Sequence, residues 1–306
     1  MSLSFAKPTT RTIIRTLIPI GTALLAFVVT GFLLLAGGFD PLEAYGLILQ
    51  GSVGGVREGG ETLVRTTSLL LTGLAVGFAF RCKIWNIGAE GQLYFGAIGA
   101  VVIALTVVGQ IPVFGIIIAI IFAMIFGAGW AAIAGVLKSR LGVNEIIVTV
   151  MLNFIAILFV DFLVHGALKA PGFEPQTALI PLTSQLPILI EGTRLHAGFL
   201  VAIAAAVLIY LILFKTKTGF SLRATGVNPK ASGYAGINVK RSILLTLLIS
   251  GAVAGIAGAC LVQGVNDRLL VGISPGYGFI AIIIALLGRE HPLGITFVAI
   301  FFGALM

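Results

Sequence analysis

The sequence predicts an all-α chain, a polytopic transmembrane helical bundle, and three observations carry that expectation. Hydrophobic residues make up 58% of the 306 residues, charged residues only 10%, and the mean hydropathy is +1.14. A soluble domain carries about 25% charged residues, so this chain lacks the polar surface that water would require. The apolar residues fall in long runs without alternation, near the roughly 20 residues a helix needs to cross a bilayer core. A barrel would instead show segments of about ten residues with period two. The 40 glycines, many spaced as in GLAVG, GAIGA and GAVAGIAG, suit helices that approach one another closely in lipid.

Taken in order, apolar spans are expected near residues 13–36, 62–80, 92–108, 112–137, 146–164, 197–214, 242–265, 276–288 and 293–306. That makes one transmembrane domain over 1–306, with about 9–10 spans, some of them broken or re-entrant. The first run, from Ile13 to Ala36, is too long for a signal-peptide core and stays as a span. Lys7, Arg11 and Arg15 place the N-terminus in the cytoplasm, because basic residues accumulate in inside loops. Alternation then puts 81–91, 138–145 and 215–241 inside, with Arg81, Lys83, Lys138, Arg140, Lys215, Lys217, Arg223, Lys230, Lys240 and Arg241. The outside loops hold Asp40, Glu43, Glu58, Glu61, Glu174 and Glu191 against Arg57, Lys169 and Arg194. The net charge of +8 is therefore a matter of orientation and lipid contact, and no nucleic-acid partner is implied.

Two loops exceed what a connector needs. Residues 165–196 contain Pro171, Pro175, Pro181 and Pro187 and no helical period, which predicts a cap over the periplasmic mouth. The inside loop KTKTGFSLRATGVNPKASGYAGINVKR, 215–241, has no acidic residue. Asn228 as N-cap, Pro229 at the first helical position and Gly236 at the end predict a short helix there. A cytoplasmic partner would grip such a helix, whereas an ordinary basic loop would only fix topology.

The sharpest polar signal is FAFRCKIWNIGAEGQLYFGAIGA, residues 78–100. Arg81 and Lys83 mark the inside boundary, but Asn86, Glu90 and Gln92 run into an apolar span. In a continuous helix Asn86 and Glu90 would share a face. Gly88 and Gly91 would instead let the backbone unwind, and broken helices at membrane depth line cavities or lie buried in protein. A solvated turn at the interface is the other reading, and the residues alone leave both open. Glu145, Thr149 and Asn153 form a polar stripe four residues apart, and Gln263 with Asn266 ends a later span. Such groups face a bundle interior or a water-filled path, or hold helices together by hydrogen bonds. Cys82 and Cys260 lack metal or redox spacing, and His165, His196 and His291 form no ligand cluster. No phosphate-binding loop, no GxSxG and no mid-span acid pair is present, so the chain is expected to be no enzyme, with no cofactor and no metal of its own.

With these residues in view, the chain resembles the permease subunit of a bacterial ABC importer of the branched-chain amino acid and ribose type. IWNIGAEGQLYFGAIGA, GVNEIIVTVMLNFIA, SLRATGVNPKASGYAGINV and ISPGYGFIAIIIALLGREHPLGITFVAIFFGAL are similar, in order and spacing, to the nucleoside and simple-sugar branch, whose solute-binding protein is a basic-membrane-protein-type lipoprotein. Members of that branch continue past FFGAL through another apolar stretch, whereas this chain stops at Met306, which implies a shortened end. The resemblance implies a broken helix beside the translocation path, with Gly88 and Gly91 at the break and Asn86, Glu90, Gln92, Asn153 and Gln263 along the path. It implies that Arg223, Asn228, Pro229, Ala231, Gly233, Tyr234, Ala235 and Gly236 couple the chain to a cytoplasmic ATPase carrying ATP and Mg. It further implies a second homologous permease, a periplasmic or lipoprotein binding protein, and a place in the bacterial inner membrane. Nucleosides are the expected solute, with a simple sugar or branched-chain amino acid as the alternative. An ion-coupled secondary carrier is the rival of another class, although only Glu90 offers a candidate relay.

Overall fold

The computed structural model describes residues 10–306, and every extended secondary-structure element in that range is helical. The elements are α1 (Thr10–Ala36), α2 (Pro41–Val53), α3 (Val56–Arg81), α4 (Ala89–Ala104), α5 (Phe114–Val136), α6 (Glu145–His165), α7 (Gly198–Lys215), α8 (Lys217–Val227), α9 (Pro229–Tyr234), α10 (Val239–Leu261), α11 (Tyr277–Leu287) and α12 (Pro292–Leu305). Among the described residues five helical stretches are long and apolar enough to cross a membrane: α3, α5 with its π-helical extension, α6, α7, and α10 with its own extension. The pair Leu24–Ala36 and Pro41–Val53, bent by 120°, counts as a sixth if taken as one broken span. The remaining apolar segments are the shorter helices α4, α11 and α12. At 1.5 Å per residue, an 11-residue helix such as α11 reaches only about half of a 30 Å core. Lys7 and the side chains of Arg11 and Arg15, on which the cytoplasmic placement of the N-terminus rests, lie outside the described residues.

Two helices go beyond what the pattern predicts. α2 begins where Asp40 caps the amides of Leu42 and Glu43 at 2.8 and 3.4 Å and Pro41 fits the first turn. α8 occupies the first half of the basic loop, started by Thr216 accepting from Gly219 N–H at 3.0 Å. Glycines within both segments hide their helical period from sequence reading.

α3 and α10 form the centre. In the most apolar stretch of α3, 89% is buried, against 22% for α5 and 28% for α6 and α7. α10 packs against α5, α4 and α3, and glycine makes the approach possible. A side-chain carbon on Gly96 of α4 would strike the backbone of Gly255 on α10, and one on Gly255 would strike Ala123 O on α5. Close backbone contact is the means by which helices associate where no hydrophobic force separates them from lipid.

The basic segments gather at one end. Lys83, Lys138, Glu145, Thr225, Pro229 and Ser242 contribute to one cavity of about 170 Å³ there, and Arg81 and Arg223 both lie on the Phe214 ring, at 5.6 and 5.2 Å. At the opposite end residues 166–197 lie across the bundle without regular helix, as their prolines predict. Thr177 and Ile180 donate backbone hydrogen bonds to Leu269 and Asp267. Thr183 and Ser184 donate through their hydroxyls to Gly109 O at 2.7 and 2.8 Å.

Candidate functional site

Residues 82–88 form the break between α3 and α4, and the turn there is made without glycine. Lys83 takes the left-handed conformation at φ 58°, while Gly88 has φ −87° and Gly91 lies within the first turn of α4. The two glycines therefore do not supply the unwinding expected of them. A side-chain carbon on Gly88 would sit 3.0 Å from Thr149 Cβ, and one on Gly91 3.0 Å from Asn153 Cα. They let α6 come close.

Asn86 and Glu90 do not share a face, because Asn86 precedes the helix. Asn86 is fully buried and uses all four of its hydrogen-bonding positions. Its amide donates to Gln92 Oε1 at 3.0 Å and Ser250 Oγ at 2.7 Å, and its oxygen accepts from Gln92 Nε2 at 3.0 Å and Gly88 N–H at 2.9 Å. The Ser250 hydroxyl on α10 in turn donates to Ala75 O on α3 at 2.7 Å. Asn153 on α6, also fully buried, spans the break, accepting from Gly91 N–H and donating to Ile87 O, each at 2.8 Å. Thr149 accepts from Ile87 N–H at 3.3 Å. Glu90 turns away from these and accepts the Gly278 amide of α11 at 2.6 Å.

Buried backbone groups must find partners, and a helix that starts inside a bundle exposes several. The polar residues near the break supply those partners. Asn86, Glu90, Gln92 and Asn153 are brought together around it. Gln263 is not, because it lies at the far end of the bundle and donates to Ser184 O of the covering loop at 2.8 Å. Among the described residues its Oε1 has no partner, and neither has Nε2 of the nearby His196. Burial lowers the His196 pKa to about 4, aided by Arg194, so the ring is neutral at ordinary pH. Nδ1 of that ring accepts the Gly198 amide at 3.1 Å. Ser250, Ser274 and Gly278 were not foreseen as part of the break. Their signal was a serine midway along an apolar helix and the SPG turn before α11.

The second feature is the α8–α9 tip. Asn228 caps Ala231 N–H at 3.0 Å, Pro229 opens α9, and Gly236 closes it at φ 81°, as the sequence predicts. The tip presents Val227, 79% exposed, and Tyr234, 94% exposed. Ala231, Gly233 and Ala235 are exposed beside them, and a side-chain carbon on Gly233 would meet nothing within 4 Å. Beneath the tip, Gly226 is pressed against Cys82 O at the start of the break, so tip and break touch directly. Arg223 is held lower down, on Phe214.

Residues 60–306 match the family described as branched-chain amino acid transport system / permease component. The chain is 37% identical over 295 residues to a guanosine ABC transporter permease of Bacillus subtilis, covering 94% of this chain and 84% of that one. It is 33% identical to a nucleoside ABC transporter permease of Lactococcus lactis, covering 95% and 83%. A glucose ABC transporter permease of Haloferax volcanii is 34% identical, covering 94% and 78%. A second guanosine and a second nucleoside permease from the same two bacteria also match, each 29% identical over 79% of this chain and 78% of theirs. No solved structure shows a significant match to the chain. A helical bundle with several membrane-length apolar helices, matched over most of its length by these proteins, belongs to the branched-chain amino acid transport system permease family, as a multi-pass permease subunit of an ABC transporter.

Proposed function

We propose that the chain forms half of the membrane channel of an ATP-driven importer for nucleosides in a bacterial inner membrane. The observation that carries the coupling part is the α8–α9 tip, capped and shaped yet exposed at Ala231, Gly233 and Ala235, and resting on the break through Gly226 and Cys82. A cytoplasmic ATPase seats this tip. A second permease completes the channel, in keeping with the paired guanosine and nucleoside permeases of the two bacteria. A binding protein delivers solute at the end covered by 166–197, and the basic end faces the cytoplasm. The ATPase supplies nucleotide chemistry, and this chain converts its movement into alternate opening.

The solute reading rests on relatives named for guanosine and nucleosides, and the glucose permease of Haloferax volcanii supports a sugar as the second reading. Both solutes carry a sugar ring bearing several hydroxyl groups, which makes the two readings chemically close. The break residues Asn86, Gln92 and Asn153 shape the wall of the path from behind, because their polar atoms are already paired within the chain. The test is uptake by the complete complex in vesicles, with labelled guanosine competed by adenosine, cytidine, glucose and leucine. Competition by nucleosides alone supports the reading, and competition by glucose alone replaces it with the sugar reading. Uptake driven by an ion gradient without ATP would overturn the importer itself.

A further inference from the structure

Two helices start inside the bundle, α4 after the break and α11 after the irregular stretch 267–276, and their first turns meet. Ala89, Glu90, Tyr277 and Gly278 are all buried, and Tyr277 O lies 3.4 Å from the Thr72 hydroxyl deep within α3. Each N-terminus brings unpaired amides and the positive end of a helix dipole. The amides of α11 can be followed one by one. Those of Gly276 and Tyr277 go to Ser274 Oγ at 3.2 and 3.1 Å, and those of Phe279 and Ile280 to Gly276 O. Within this first turn only Gly278 N–H leaves its own segment, and its acceptor is Glu90 Oε2. The joint is also made from the other side. A side-chain carbon on Gly278 would overlap Glu90 N, so the glycine is required for the carboxyl to reach.

The other end of α11 returns to the same break. Glu290, in the tight turn after α11, lies 3.8 Å from Lys83. That pair is half-exposed and weak, which leaves Glu90 as the main tie. The break in turn begins at Cys82, against which Gly226 of the coupling tip rests. We infer that Glu90 is a positioning residue for transport: it fastens the start of α11 to the start of α4, so that displacement of the break by the coupling tip moves α11 with it. This inference rests on the importer reading for its functional consequence. Its structural content, the Glu90 cap on Gly278, stands apart from which solute is carried.

The experiment uses the assembled complex with its ATPase and compares the wild type with Glu90→Ala, Glu90→Gln and Glu90→Asp. Hydrogen exchange of the peptide spanning 275–283 is read beside that spanning 247–258 on α10, together with solute carried per ATP hydrolysed. Glu90→Ala is expected to raise exchange in 275–283 about tenfold, as for a locally opened turn, with 247–258 unchanged. Solute carried per ATP falls several-fold while hydrolysis continues. Gln, which keeps an oxygen at the same reach, restores both readouts, and Asp, one methylene shorter, falls between. Should Glu90→Ala fail to assemble, the Asp and Gln variants alone decide by the same ordering. Wild-type exchange in the shortened or truncated variants, Gln behaving no better than Asp, or unchanged transport per ATP would overturn the inference. The exchange measurement needs no solute, so a wild-type complex that carries no nucleoside would refute the solute reading and leave the Glu90 result readable.

Discussion

Asn86 and Asn228 each precede a helix, α4 and α9, and each was singled out from the sequence, but the molecule employs them differently. Asn86 is buried and spends both donors and both acceptor positions inside the chain, on Gln92, Ser250 and Gly88. Asn228 is exposed and caps Ala231 N–H. Around Asn86 the glycines are compressed against α6, whereas around Asn228 Gly233 and Gly236 have open space. The first region is a joint whose polar groups answer the chain's own backbone. The second is a shaped surface whose contacts lie outside the chain. Polarity in an apolar sequence marks a site of either kind, and only packing tells them apart.

The comparison breaks most sharply at the joint. Asn86→Ala strands Gln92, Ser250 and the Gly88 amide, and at about 1–3 kcal/mol for each buried polar group left unpaired it should cost roughly 3 kcal/mol or more. The thermal midpoint and the yield of assembled complex should both fall. A variant with normal stability and defective transport would instead place Asn86 against the solute.

A buried polar group at the opposite end of the molecule serves as a control. The His196 pKa lies near 4 in the fold against about 6.5 for a free histidine, so the folded state resists protonation. Its stabilising contribution is complete above pH 6.5 and is lost progressively as pH falls from 6.5 toward 4. By pH 5 the loss is on the order of 2 kcal/mol. Thermal unfolding between pH 7 and pH 5 should show this slope, and His196→Asn should flatten it. An unchanged slope in the variant would assign the pH dependence to other groups.

At the tip the expectation reverses. Gly233→Trp or Ala235→Trp meets no crowding within the chain at Gly233, so stability should hold. ATPase retention or uptake per ATP should fall about tenfold, the equivalent of roughly 1.4 kcal/mol at the interface. Co-purification of the ATPase and solute-stimulated hydrolysis measure it, and normal coupling in both variants would reduce the tip to a topological loop. The smallest effect belongs to Lys215→Gln with Lys217→Gln. These exposed charges should change stability and coupling by no more than about 0.5 kcal/mol. A large loss of coupling there would mean that charge, and not shape, seats the partner.

What the sequence by itself determined follows from local rules. Composition and run length dictated helices in a membrane, because no apolar run of this length can be covered by so few charges. The cap Asn228, the following Pro229 and the closing Gly236 specified α9 almost to the residue, since capping depends on neighbours along the chain. The prolines of 165–196 likewise forbade regular helix. Tertiary structure decided the rest, because it concerned partners far apart in sequence. Gly88 and Gly91 serve approach to α6, and the left-handed turn fell to Lys83, a distinction that φ and neighbouring atoms settle and spacing does not. Asn86 and Glu90, four residues apart, point to α10 and α11 because the helix starts between them. Glu90 meets Gly278 across 188 residues of chain, and no local pattern encodes which distant amide is left without an acceptor once the helices have packed.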